Sequence, residues 1–364
     1  MEFIKPGINI DFVGKRRIAY GISLGLILVT VISLIIRSGP NWGVDFAGGL
    51  VVQVKFDQPT EPDEIRSGLV EVNMQDSEIQ SFGAAGKNEF LIRAEKKDLD
   101  LEGLAQRVQD SLEKTFTAGA FEVRRVDMVG PKVGQDLRDS ALMAIFYAIL
   151  FIVIYISGRF EMKWVMGIAV AVALIGAVSF ARMINAGVIY LIVLALLVTL
   201  VVCFVLKLKY ALGAIIALIH DVTITVGIFS ILDLEITLSI VAAILTIIGY
   251  SLNDTIIVFD RIRENLRKFR RQAMDEIINT SINNCLSRTI LTSGTTLIVL
   301  LCLFFLGGPV IADFALAMII GVLVGTYSSI YVASPILLLW PPEVPVQQAK
   351  GKANTGNKRK RKKR

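Results

Sequence analysis

Charge is scarce in this chain, and so are the residues that most often perform chemistry. Only 19% of its 364 residues are charged, against about a quarter in soluble proteins. There is one histidine, His220, and there are three cysteines, Cys203, Cys285 and Cys302. All three cysteines lie in or beside apolar stretches, which excludes a disulfide framework for an exported soluble part. No phosphate-binding loop, zinc-protease motif, nucleophile elbow or paired-carboxylate signature occurs. An enzyme is therefore not expected, nor a metal or cofactor. Apolar residues fill the space instead. They make up 54% of the chain, in recurring runs near 20 residues, long enough to cross ~30 Å of hydrocarbon.

Eight spans are expected, at about 18–37, 139–157, 165–182, 187–206, 211–231, 236–258, 286–306 and 313–339. The run Ile18–Ile36 follows Lys15-Arg16-Arg17 like a signal peptide, but its apolar core is longer and no small-residue cleavage site follows. It reads as an uncleaved first span. Short loops then alternate between basic and poor in basic residues. The basic group holds Lys5 and Lys15–Arg17, Arg159 and Lys163, Lys207 and Lys209, the 261–271 segment and the tail. With eight spans all of these face the cytoplasm. The division is a cytoplasmic N-terminus (1–17), a first transmembrane helix (18–37), a periplasmic domain (38–138), a transmembrane bundle of about seven helices (139–339) and a basic cytoplasmic tail (340–364). The tail has no apolar periodicity and its charge suits anionic lipid.

The 38–138 segment has a readable order. Leu50–Phe56 is strand-like, Thr60 can cap a helix with Pro62 in its first turn and Asp63 completing a capping box, and short strands follow near 77–83 and 88–94. A helix over about 99–116 puts Leu101, Leu104, Val108 and Leu112 on one face, and a last strand runs near 120–128. The expected fold is thus a polytopic α-helical membrane protein with one small periplasmic α+β domain, ferredoxin-like βαββαβ.

Charges inside apolar spans are the informative anomaly, since each costs at least ~2.5 kcal/mol at mid-depth. Asp254 lies in the sixth span and Arg288 near the start of the seventh. Thr246, Tyr250, Asn253 and Asp254 share one helical face, as do Arg288, Thr292, Thr295 and Thr296 on the next helix. Two such stripes suit a hydrated ion path, with a structural ion pair as the alternative. His220-Asp221, mid-span, is read first as a satisfied interhelical hydrogen bond and second as a proton relay. In 260–267, Asp260 with Glu264 and Arg263 with Arg267 have surface-helix spacing, which suits lying on lipid or docking a partner. Lys163-Trp164-Val165-Met166-Gly167 is echoed by Lys209-Tyr210-Ala211-Leu212-Gly213, by local duplication or by chance.

Four segments together resemble the SecF family, the smaller subunits of the SecD–SecF secretion pair. They are Gly43–Gly49, Val129–Gly134, Gly249–Asn265 (GYSLNDTIIVFDRIREN) and Ser287–Thr296 (SRTILTSGTT). The third also resembles the charged helix of the wider resistance–nodulation–division superfamily. The resemblance implies a proton-driven aid to protein export, with sodium as the alternative ion. Its implied partners are SecD, the SecYEG channel, YajC and translocating unfolded proteins. It places the proton-linked aspartate at Asp254 and its arginine partner at Arg288. Rival expectations are a half-transporter of the same superfamily and a non-conducting assembly factor. Members of the family usually have six spans; here RFEMK at 159–163 and YALGAI at 210–215 are about 46 residues apart, so an extra hairpin is expected near 164–209. In a background without native cysteines, single cysteines at Asn185 and Asp233 should both react with an impermeant maleimide added outside. Labelling at Asp233 without labelling at Asn185 would remove the extra hairpin.

Overall fold

A computed structural model describes residues 9–340, apart from 73, 75–76, 83–87, 95–102, 117–119, 162–163, 184–187 and 270–271. The first helix, α1 (Arg16–Ile36), leads into a short helical turn, α2 (Val44–Ala47), and then into the α+β domain. That domain runs β1 (Gly49–Phe56), α3 (Pro62–Gly68), β2 (Glu78–Phe82), β3 (Glu89–Ala94), α4 (Leu104–Thr115) and β4 (Phe121–Val129). Its sheet has the order β2-β3-β1-β4 with every neighbour antiparallel, which is the ferredoxin-like order the sequence predicts. Alternation along β1 sends Leu50, Val52, Val54 and Phe56 into a core shared with Ile65, Leu69, Ile92, Leu104, Val108 and Leu112. Leu101, predicted on the same helical face, lies outside the described residues.

One local expectation is corrected. The cap of α3 is Glu61, not Thr60, and its capping box closes on Glu64 rather than Asp63. Proline fits the first helical position, where its missing N–H costs nothing, so Pro62 fixes the cap at the residue before it. Thr60 turns its hydroxyl to the Gln58 carbonyl instead.

The bundle follows as α5 (Pro131–Glu161), α6 (Trp164–Met183), α7 (Val188–Val205), α8 (Lys209–Ile231), α9 (Leu238–Lys268), α10 (Met274–Leu306) and α11 (Pro309–Ser328). Among the described residues, six helical runs are long and apolar enough to cross a membrane: α1, α5, α8, α9, α10 and the run Ile311–Leu339 that begins in α11. Between α5 and α8, α6 and α7 form a hairpin of 20 and 18 residues. The predicted sixth span and the basic segment after it are one helix, α9, of 31 residues. Asp260 therefore turns to α5 and pairs with Arg159 at 2.6 Å, while Arg261 pairs with Glu264.

The last run is not α-helical throughout, for it opens into a π turn at Ser329–Ala333. Pro335 lies just beyond; it lacks an N–H and crowds the carbonyl four residues back, and a wider turn relieves both. Ser334 Oγ donates to the Ser329 carbonyl at 2.7 Å, five residues back.

At the junction of domain and bundle, Gly48 adopts a φ of +75° and packs on the start of α5. A Cβ there would stand 2.8 Å from Pro131 Cα. Gly48→Ala should destabilise the protein by about 1–3 kcal/mol, read as a lower thermal midpoint of the full chain. Gly130→Ala, where a Cβ meets nothing within 4 Å, should leave the midpoint nearly unchanged.

Candidate functional site in the bundle

The site is built around α9. Apolar residues Ile240, Ile244, Ile247 and Ile248 bury one face of this helix against α8 and α11, and that packing carries Asp254 inward to 1% exposure. A buried carboxylate needs donors, and Asp254 Oδ2 accepts one from Ser293 Oγ on α10 at 3.5 Å. Ser293 in turn meets Thr326 Oγ1 of α11 at 2.8 Å. Arg288 is exposed, and no ion pair within 4.0 Å joins it to Asp254 among the described residues. Thr289, one residue on, keeps a buried hydroxyl without a hydrogen-bond partner.

Among the described residues, one hydrogen bond joins the two predicted polar stripes, from Tyr250 OH to Thr296 Oγ1 at 3.2 Å. Thr246, Asn253 and Thr295 are exposed along the same helices, and Thr292 is half-buried. Thr246, Thr292, Thr295 and Thr296 return their hydroxyls to their own helix carbonyls. The stripes therefore form an open flank of α9 and α10.

His220 and Asp221 sit deeper, on α8, at 4% and 0% exposure. His220 Nδ1 lies 2.9 Å from Asp221 Oδ1. Asp221 Oδ2 accepts from Ser251 of α9 at 2.5 Å and from Ser328 of α11 at 2.8 Å. His220 Nε2 lies 3.0 Å from Ser23 Oγ on α1, which is 3.1 Å from Tyr327 OH. The pair joins four helices.

The other end of α9 meets the α+β domain. Ile236, just before the helix, forms a parallel bridge with Trp42, bonded through Gly43 N to Ile236 O (3.0 Å) and Ile236 N to Asn41 O (2.7 Å). Asp45 Oδ2 accepts from the Leu238 amide at 2.9 Å, capping a helix whose adjacent residue, Thr237, supplies no side-chain cap. Phe46 inserts into the bundle core beside Ile236 and Ile240, and Arg93 of β3 pairs with Glu235 at 2.5 Å. Sequence reasoning did not assign a role to Ser293, Thr326, Ser251, Ser328, Ser23, Tyr327, Asp45 or Arg93. Two signals were available: Asp45, Ser251 and Ser293 fall within Gly43–Gly49, Gly249–Asn265 and Ser287–Thr296, and Ser251 stands three residues before Asp254, on the same side of the helix.

Two family profiles match the chain. The one described as protein export membrane protein SecD/SecF, C-terminal, covers residues 107–181 and 169–343, and the SecD/SecF GG motif covers 32–60. Protein translocase subunit SecF of Magnetococcus marinus is 41% identical over 94% of this chain and 95% of its own length. That of Vibrio alginolyticus is 37% identical over 94% and 96%. The crystal structure of a Thermus SecDF, a translocon-associated membrane protein, superposes with a TM-score of 0.65 at 31% identity, over 92% of this chain. The present chain spans only 39% of that SecDF chain.

The Asp45 cap has a measurable value. Asp45→Ala should cost about 0.5–2 kcal/mol and speed amide hydrogen exchange at residues 238–241 relative to the middle of α9. Asp45→Asn, which keeps an acceptor oxygen, should change exchange much less.

Proposed function

The chain belongs to the SecD/SecF family of protein-export membrane proteins, on its SecF side, and on that footing we propose that it uses the proton-motive force to assist protein export as a subunit of a Sec translocase. The observation that carries this reading is the double attachment of α9. One helix holds the buried carboxylate of Asp254 and is capped, at its other end, by the connector of the α+β domain. A change of charge at Asp254 therefore has a short mechanical route to that domain.

The basic loops favour an inner-membrane orientation with both termini in the cytoplasm and the α+β domain in the periplasm. In that orientation the domain meets an exported chain as it leaves the channel. SecD is the partner that suits the open flank of α9 and α10. Arg288 and Asn253 are exposed there, and a bare arginine against lipid is costly. SecYEG and YajC complete the assembly in this reading, and the basic tail meets anionic lipid.

Protonation neutralises Asp254, removing its attraction to Arg288 and weakening its hold on Ser293. The helices α9 and α10 then shift, and the shift reaches the domain through 38–49, 129–138 and the loop before α9. One charge crossing 100 mV carries about 2.3 kcal/mol, enough to shift a two-state equilibrium roughly fifty-fold. The domain alternates between two poses and holds an emerging chain in one of them.

The test is export into inverted membrane vesicles, with the chain assembled with SecD and an imposed proton gradient. Asp254→Asn should abolish gradient-dependent export while assembly persists, Arg288→Ala should behave similarly, and Arg267→Ala should be mild. Replacing the proton gradient by a sodium gradient should fail to restore export. Normal export by Asp254→Asn would leave the non-conducting assembly role.

A further inference from the structure

The hydrogen bonds around His220 and Asp221 can be counted for protons, because one end of the chain has only one possible donor. Tyr327 OH lies 2.7 Å from the Ala19 carbonyl oxygen. A carbonyl has no hydrogen, so the phenol donates its only one there. Tyr327 OH also lies 3.1 Å from Ser23 Oγ, and the hydrogen in that contact must come from Ser23. Ser23 then has none left for His220 Nε2, 3.0 Å away, so Nε2 carries a hydrogen and donates it.

The count continues through the ring. His220 Nδ1 and Asp221 Oδ1 are 2.9 Å apart and need a hydrogen between them, on one atom or the other. Asp221 Oδ2 already accepts from Ser251 and Ser328. The pair therefore holds two hydrogens, one more than a neutral imidazole beside an ionised carboxylate. Written as imidazolium with carboxylate, or as imidazole with carboxylic acid, it is net neutral. Burial demands the same, since a net charge at 0% and 4% exposure in an apolar bundle carries a large desolvation cost.

Loss of one proton breaks a contact whichever hydrogen leaves. If Nε2 is stripped, Ser23 turns its hydroxyl to the ring, and Ser23 and Tyr327 face each other with no hydrogen between them. If the shared hydrogen leaves, Nδ1 and Oδ1 confront each other as two acceptors. A buried group left unsatisfied costs more than the bond itself is worth. We propose that His220 and Asp221 form an intramembrane proton-binding site, separate from Asp254, whose bound proton ties α1 to α8 and α11.

The other titratable groups on the packed elements leave this site to itself. Tyr327 is already in the chain and stacks on the imidazole at 6.0 Å. Tyr331 packs at a tilt against Tyr327, ring centroids 5.1 Å apart. Asp254 shares α9 with Ser251 but bonds to Ser293, and Tyr20 of α1 is exposed. No charged residue lies on α5 between Asp139 and Arg159 or anywhere in Val188–Val205 of α7.

His220 is the only histidine in the chain, so labelling with ring-15N histidine gives one pair of signals. The full chain in lipid bilayers at pH 7 should show Nε2 bonded to hydrogen. A bare Nε2, with the ring hydrogen on Nδ1 alone, overturns the proposal. Asp221→Asn is the second measurement, because its amide supplies the hydrogen that the bound proton supplies and its oxygen still accepts from both serines. Its Nε2–H signal should persist, and a bare Nε2 in that variant overturns the proposal as well.

Discussion

Asp221 accepts hydrogen bonds from two serines and meets His220, and through these contacts four helices acquire a fixed arrangement. In lipid the apolar helices gain little from preferring one another over acyl chains, so polar contacts and close approaches decide who sits where. The helix α1 shows the dependence most plainly. Its buried residues are Ala19, Ser23 and Thr30, and each is small or polar. Ser23 meets His220, Thr30 crowds the bare backbone of Gly227, where a Cβ would stand 1.9 Å from Thr30 Oγ1, and Ser33 bonds to Ser230 at 2.8 Å. Most of its remaining surface is apolar and open. Without these contacts to α8, and those of Tyr327 on α11 to Ala19 and Ser23, nothing in the composition of α1 would fix its place.

The helix α9 plays a different part. At 1.5 Å per residue its 31 residues extend about 46 Å, longer than the ~30 Å hydrocarbon core. It is held near both ends, by Asp45 and the Trp42 bridge at one and by Asp260 with Arg159 at the other. Asp254 lies between these anchors, with bonded neighbours on α10 and α11. A rod held at both ends and carrying a buried charge transmits a local change along its length more directly than a loop-connected pair of helices would.

Much of this was legible in the sequence for physical reasons that can be named. Alternation in Leu50–Phe56 specified a half-buried strand, and the spacing of Leu104, Val108 and Leu112 specified one face of a helix. Intramembrane charges marked Asp254 and His220-Asp221, since such residues are rare without a partner. The partners were harder to read. Thr292 and Thr295 bond to their own helix, whereas Ser251 and Ser293 reach across to acids on or beside α9. Serine and threonine in an apolar helix can do either, and only the packing decides. The Asp45 cap spans 193 positions, and no local pattern announces it. The shift of the α3 cap to Glu61 was legible in principle, because Pro62 allows one register.

The ends of the hairpin α6–α7 carry a consequence for how such a chain can change its length. Glu161, the last residue of α5, accepts from the Tyr210 amide at the start of α8 at 3.1 Å. Phe160 and Tyr210 stack at 5.2 Å, and both pack edge-on against Phe259. The chain thus leaves the bundle and returns to it at one spot, sealed by an aromatic trio. Closing a loop costs little more for forty residues than for a few, since the entropy grows only with the logarithm of length. Closure is only part of the matter, because Val170, Leu174, Ala195 and Cys203 of the hairpin join the same buried core as Phe160, Tyr210 and Phe259. The hairpin is, in that sense, a buttress with a single footing: cheap to close at its root, yet carrying part of the bundle's core along its inner face.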